Sequence, residues 1–130
     1  MKTKKILYVE DDSASLTLME HLLRRHYDIE TTSRAPKALE LVRLKQYDLI
    51  LMDIKLGPVG MTGLDLVEKI REIPAYKNVP IIAVTAYAMA GDRDYLIRKG
   101  CDDYVPKPID FKMLNDAIKR HLTEKKQPVY

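Results

Sequence analysis

Short, solidly apolar runs, separated by segments whose apolar positions fall at helical spacing, constrain this chain more than any other feature. The runs are Ile6–Val9, a weaker one near Tyr27–Thr31, Leu49–Met52, Val79–Val84 and Tyr104–Val105. Between them the spacing changes to threes and fours: Leu16, Met19, Leu23; Ala38, Leu41, Val42; Leu66, Ile70, Ile73; and Phe111, Leu114, Ile118, Leu122. Side chains of a strand alternate between its two faces, so a strand apolar at consecutive positions has to be covered on both. Five strands alternating with five helices imply right-handed crossovers and a parallel sheet between two helical layers. The expected fold is α/β, a doubly wound five-stranded parallel sheet flanked by five helices.

Boundary residues agree with that reading. Ser33 ahead of Pro36 suits a helix start, and Asp110 can cap the final helix. Gly100 suits a helix C-terminus, and Pro74 closes the third helical pattern. The segment Ala88–Lys99 has Gly91 inside it and few apolar anchors, which makes it the weakest of the five helical patterns.

The 130 residues suit a single core, expected over 1–124 with a short loose tail at 125–130. Cys101 is the one cysteine, so no internal disulfide can form and a reducing compartment is expected. The first apolar run is too short for a signal peptide, and no stretch approaches the ~20 apolar residues of a membrane span. A cytoplasmic protein without membrane attachment is expected. Net charge is +3, from 22 basic and 19 acidic residues, and much of the excess lies near the ends. No dense basic stripe accompanies it, so direct nucleic-acid binding is not expected. His21, His26 and His121 lack metal-ligand or triad spacing.

Chemistry-bearing residues follow the runs. Glu10, Asp11 and Asp12 come after the first, Asp53 after the third, Thr85 after the fourth, and Pro106 and Lys107 after the fifth. Open parallel sheets bind ligands outside the carboxyl ends of their strands. Four strand ends would therefore gather carboxylates, a hydroxyl and an ammonium in one small region. Clustered carboxylates repel and raise one another's pKa, and a hard divalent cation such as Mg²⁺ relieves this. With the cation present, Asp53 could attack phosphorus as a carboxylate nucleophile, giving an aspartyl phosphate. Lys107 and Thr85 could then meet the phosphoryl oxygens. Taken singly, each residue has an ordinary reading as a cap, turn, strand or surface residue; the joint arrangement carries the weight.

The motifs ILYVEDD, DLILMD, IIAVTAYAMAGDRD and GCDDYVPKPI stand in an order and spacing that resembles the receiver domain of two-component response regulators, from Lys5 to about Leu122. That resemblance implies the flavodoxin-like fold and a phosphoacceptor signalling domain rather than an enzyme, one that assists only its own phosphorylation and dephosphorylation. It implies Asp53 as phosphoacceptor, Glu10 and Asp11 as the acidic pair, and the Lys55 carbonyl as a further Mg²⁺ ligand. Thr85 and Lys107 would contact the phosphoryl group, and Tyr104 would be the aromatic that moves with Thr85. Lys107–Pro108 becomes a candidate cis bond. The implied partners are a histidine kinase or histidine phosphotransfer protein upstream and a protein target downstream.

Two departures stand out. Between Asp53 and Gly63 the chain reads IKLGPVGMT, about two residues longer than the common form, with Thr62 left to cap the next helix. Lys55 and Tyr87 fall where the family's phosphoryl-flanking positions lie, and both are large, so a long-lived phosphoaspartate is expected. The functional expectation is a single-domain response regulator of a phosphorelay. The alternatives are a receiver module of a hybrid histidine kinase and an aspartate-nucleophile phosphohydrolase. Phosphatases resembling the haloacid dehalogenases need a second aspartate two residues past the nucleophile, where this chain has Lys55. Dinucleotide and P-loop glycine motifs are absent.

Overall fold

The computed structural model describes residues 3–55, 61–86 and 92–123. Strands β1 (Lys5–Val9), β2 (Asp28–Thr32), β3 (Leu49–Asp53), β4 (Ile81–Thr85) and β5 (Asp103–Pro106) alternate with helices α1 (Ser13–Leu23), α2 (Ala35–Leu44), α3 (Gly63–Arg71), α4 (Asp92–Arg98) and α5 (Phe111–Thr123). All strand pairs are parallel, in the order β2-β1-β3-β4-β5. The order reverses at β1 and β3, and in such sheets the crevice opens beyond the carboxyl ends of the strands at that point.

Strand alternation decides which helices each residue meets. Leu7, Val9, Ile50, Met52, Ile81 and Ala83 pack with α2, α3 and Leu96 of α4. Their neighbours Ile6, Tyr8, Leu49, Leu51, Ile82 and Val84 pack with Met19 and Leu23 of α1 and with Leu114, Ala117 and Ile118 of α5. All of β3 and β4 is buried, whereas β2 and β5 at the edges alternate or are half-exposed. This difference explains why the run that became β2 was the weaker one.

Local signals set the helix ends. The Asp12 side chain accepts from the Ser15 N–H and starts α1. Thr62 and Asp65 form a reciprocal capping box on α3, and Asp110 accepts from the Met113 N–H at the start of α5. Gly100 has φ of +115° after α4, the left-handed conformation that favours glycine at a helix end. Helix α2 starts at Ala35, as Ser33 ahead of Pro36 suggested, with Pro36 its second residue; the N-cap is Arg34, without a side-chain hydrogen bond. Helix α3 stops at Arg71, so Ile73 lies beyond it, ahead of a 3-10 turn at Pro74–Tyr76. Helix α4 is described from Asp92, with Leu96 its single buried residue, as its sparse apolar pattern suggested.

Helix α3 abuts the end of β3 directly. The Gly63 N–H donates to the Ile54 carbonyl at 3.1 Å. A Cβ on Gly63 would lie 2.3 Å from the Asp53 carbonyl oxygen and 2.6 Å from the Ile54 Cα. Only a glycine fits there, because the atoms it faces are backbone. At the opposite end of the sheet, Arg71 ties α3 to the turns leading into β4 and β5. Its guanidinium donates to the carbonyls of Gly100 (3.0 Å), Tyr76 (2.7 Å) and Val79 (2.7 Å), and to Asp102 (2.7 Å).

Candidate functional site

The residues predicted from the strand ends converge. Glu10, directly after β1, is fully buried, and its backbone N–H donates to the Thr32 carbonyl at 3.0 Å. Its carboxylate is held from three directions. Lys107 Nζ lies 2.8 Å from Oε1 and 3.0 Å from Oε2, the Tyr8 hydroxyl donates to Oε1 at 3.3 Å, and the Asp12 N–H donates to Oε2 at 3.2 Å. Asp53, the last residue of β3, is only 2% exposed. Its Oδ1 accepts from the Lys55 N–H at 3.0 Å, and its Oδ2 lies 3.5 Å from Lys107 Nζ.

Burial, and then the contact with Glu10, push the Asp53 carboxyl up to about 7; the Lys55 amide and the Lys107 ammonium work against this and are outweighed. Burial disfavours the Lys107 ammonium, but hydrogen bonding to Glu10 and the nearby Asp53 charge hold its pKa above the usual lysine value. Burial, reinforced by Glu10, holds the Tyr8 phenol far above its ordinary range, so Tyr8 remains a donor.

Asp11 is exposed at the rim, and one oxygen from each of Glu10, Asp11 and Asp53 lies within 4.8 Å of the others. An all-oxygen set of three carboxylates, one of them open to solvent, suits a hard divalent cation that keeps part of its water shell.

Thr85 ends β4 and is fully buried; its carbonyl accepts from the Lys107 N–H at 2.8 Å, which fixes the start of the segment after β5. The Lys107–Pro108 peptide is cis, as expected. Tyr104 is half-buried on β5, paired with Ala83 and packed against the α2–α3 side of the core. Lys55 is exposed and reaches the site through its amide. Tyr87 and the centre of the longer loop, 56–60, lie outside the described residues.

Tyr8 escaped the sequence reading because it sits inside an apolar strand and reads as core. The signal available was its position two residues before Glu10, which puts both on one face.

The family model of the response regulator receiver domain matches residues 6–119. The chain belongs to the response-regulator receiver domains. This receiver is 36% identical over 121 residues to the polar-differentiation response regulator DivK of Brucella ovis, covering 92% of this chain and 97% of that protein. Among solved structures, the receiver domain of a sensor histidine kinase from Pseudomonas aeruginosa is 33% identical with a TM-score of 0.85, over 95% of this chain and all of that one; a magnesium ion is coordinated in its active-site cleft. A CheY-like receiver domain protein from Methanospirillum hungatei is 31% identical with a TM-score of 0.82, over 93% of this chain and 94% of that one. The five-stranded fold is that of this family, which consists of signalling regulators. No helix among the described residues is long and apolar enough to cross a membrane.

Proposed function

We propose that Asp53 accepts a phosphoryl group from a phosphohistidine and that this receiver works as a phosphorylation-controlled switch. The observation that carries the reading is the position of Asp53: buried at the end of β3, among the carboxylates of Glu10 and Asp11 and the ammonium of Lys107. Glu10, Asp11, Asp53 and the Lys55 carbonyl would hold Mg²⁺, which supplies charge neutralisation for the phosphoryl oxygens when bound.

Residues of the chain supply the remaining chemistry. An Asp53 carboxylate oxygen attacks phosphorus, a P–O bond forms, the P–N bond to the donor imidazole breaks, and its electron pair stays on that nitrogen. Lys107 moves its ammonium towards the phosphoryl oxygens, and the Thr85 hydroxyl donates to one of them. Thr85 is drawn towards the new group and Tyr104 turns inward, which changes the surface offered by α4, β5 and α5. The upstream partner is a histidine kinase or histidine phosphotransfer protein, and the downstream partner is a protein that distinguishes the two states. The receiver spans 1–124, with a tail at 125–130, in a cytoplasmic protein.

Incubation with Mg²⁺ and acetyl phosphate, followed by intact-mass measurement, tests this reading. One added phosphoryl group is expected, dependent on Mg²⁺ and absent in Asp53→Asn. An adduct that persists in Asp53→Asn, or catalytic turnover of the phosphodonor by that variant, overturns it.

A further inference from the structure

We infer that Tyr8 is a positioning residue, whose hydroxyl keeps the buried Glu10 carboxylate in place while Lys107 serves the phosphoryl group on Asp53. The inference rests on the reading of Asp53 as acceptor and adds a residue that the reading does not use.

Lys107 has two claims on one ammonium. It sits 2.8 Å and 3.0 Å from the oxygens of Glu10 and 3.5 Å from Asp53. Phosphorylation replaces the single charge of the Asp53 carboxylate by about two negative charges on an acyl phosphate and draws the ammonium that way. Glu10 is 0% exposed, and when Lys107 turns to the phosphoryl group its carboxylate is left to the Mg²⁺ that the site would hold and to its remaining protein donors. Two donors remain on it, one to each oxygen: the Tyr8 hydroxyl on Oε1 and the Asp12 amide on Oε2.

The Tyr8 ring is well placed for that task. It is fully buried, and its strand is paired on both sides, opposite Thr31 in β2 and Leu51 in β3. It packs with Met19 and Leu23 of α1, so the hydroxyl cannot follow Glu10 if the carboxylate moves. A phenylalanine here would fill nearly the same space but bring no donor. A tyrosine kept only for packing would contribute equally to every state of the site. A tyrosine that takes over from Lys107 matters most when the phosphoryl position is filled.

Calorimetric titration of the whole chain with Mg²⁺, and then with beryllofluoride at saturating Mg²⁺, separates these roles. Tyr8→Phe is expected to leave Mg²⁺ affinity within about threefold of the parent and to weaken beryllofluoride about tenfold, the loss of one hydrogen bond to a charged group. Tyr8→Leu, a second variant without the donor, should show the same split. In a Glu10→Gln background, Tyr8→Phe should add little to the beryllofluoride loss, because its effect runs through that carboxylate. Equal weakening of Mg²⁺ and beryllofluoride, unchanged binding of both, or a full additional loss in the Glu10→Gln background overturns the inference. A parent protein that takes up no beryllofluoride overturns the reading of Asp53 as acceptor as well, and so differs from failure of Tyr8 alone.

Discussion

Lys107 Nζ lies 2.8 Å from the buried carboxylate of Glu10 and 3.5 Å from Asp53, so before phosphorylation the lysine belongs more to the neighbouring acid than to the acceptor. Removing its charge leaves two buried carboxylates facing each other. Lys107→Met should lower stability to urea by about 3 kcal/mol in chelator, and Mg²⁺ should restore part of the loss by binding the folded state. Equal urea midpoints for variant and parent in chelator would show that the pair contributes nothing.

Asp53→Asn should raise the melting temperature in chelator at pH 8 by about 5 °C. Burial and Glu10 push the Asp53 carboxyl up to about 7, so its ionised form is disfavoured in the folded state. The sign follows from linkage: a carboxyl with a raised folded pKa stabilises least above that pKa, and its cost fades as pH falls towards the ordinary carboxylate value. The gain from Asp53→Asn should therefore shrink towards pH 4. Mg²⁺ should stabilise the parent more than the variant at pH 8, as read by thermal melts with and without chelator.

Gly63→Ala should impair phosphorylation without touching a polar group of the site. The new Cβ would meet the Asp53 carbonyl oxygen and Ile54 backbone at 2.3 Å to 2.8 Å, which forces the start of α3 away from the end of β3. A destabilisation of about 3 kcal/mol and at least a tenfold slower reaction with acetyl phosphate are expected. Parent-like rates in a folded variant would mean that the strand end bearing Asp53 tolerates displacement.

Asp103 predicts the acid limb of stability. Burial works against its ionised form, but hydrogen bonds with Arg120 (2.8 Å) and His121 (2.9 Å) and from the Tyr104 amide outweigh it, and its pKa is held below 3.8. A depressed folded pKa contributes stability above the ordinary carboxylate value, lost as pH falls through the folded one. Asp103→Asn should cost about 1–2 kcal/mol near neutrality and flatten the decline below pH 4, measured by urea titrations across pH. A parallel decline in both proteins would assign the acid limb to other carboxylates.

Much of this was legible along the chain, for local reasons. The central strands are apolar at every position because helices cover both faces, and β1, β3 and β4 stood out accordingly. Asp12, Thr62 and Asp110 cap helices through contacts within three residues, which sequence spacing reveals. Ser33 ahead of Pro36 marked the start of α2 to within two residues, although Arg34 and not Ser33 is its N-cap. Tyr8 was hidden because a tyrosine inside an apolar strand looks like packing until its hydroxyl has a partner.

The sequence by itself determined the order of strands and helices and the set of polar residues standing at strand ends, since periodicity and caps are properties of neighbours along the chain. Only the tertiary structure decided that, in one acidic run, Glu10 is buried while Asp11 and Asp12 stay at the surface. It likewise decided that Lys107, 97 positions away, rests on Glu10 before Asp53. Burial and ion pairing depend on which strands lie side by side, and that follows from closing the sheet between its two helical layers.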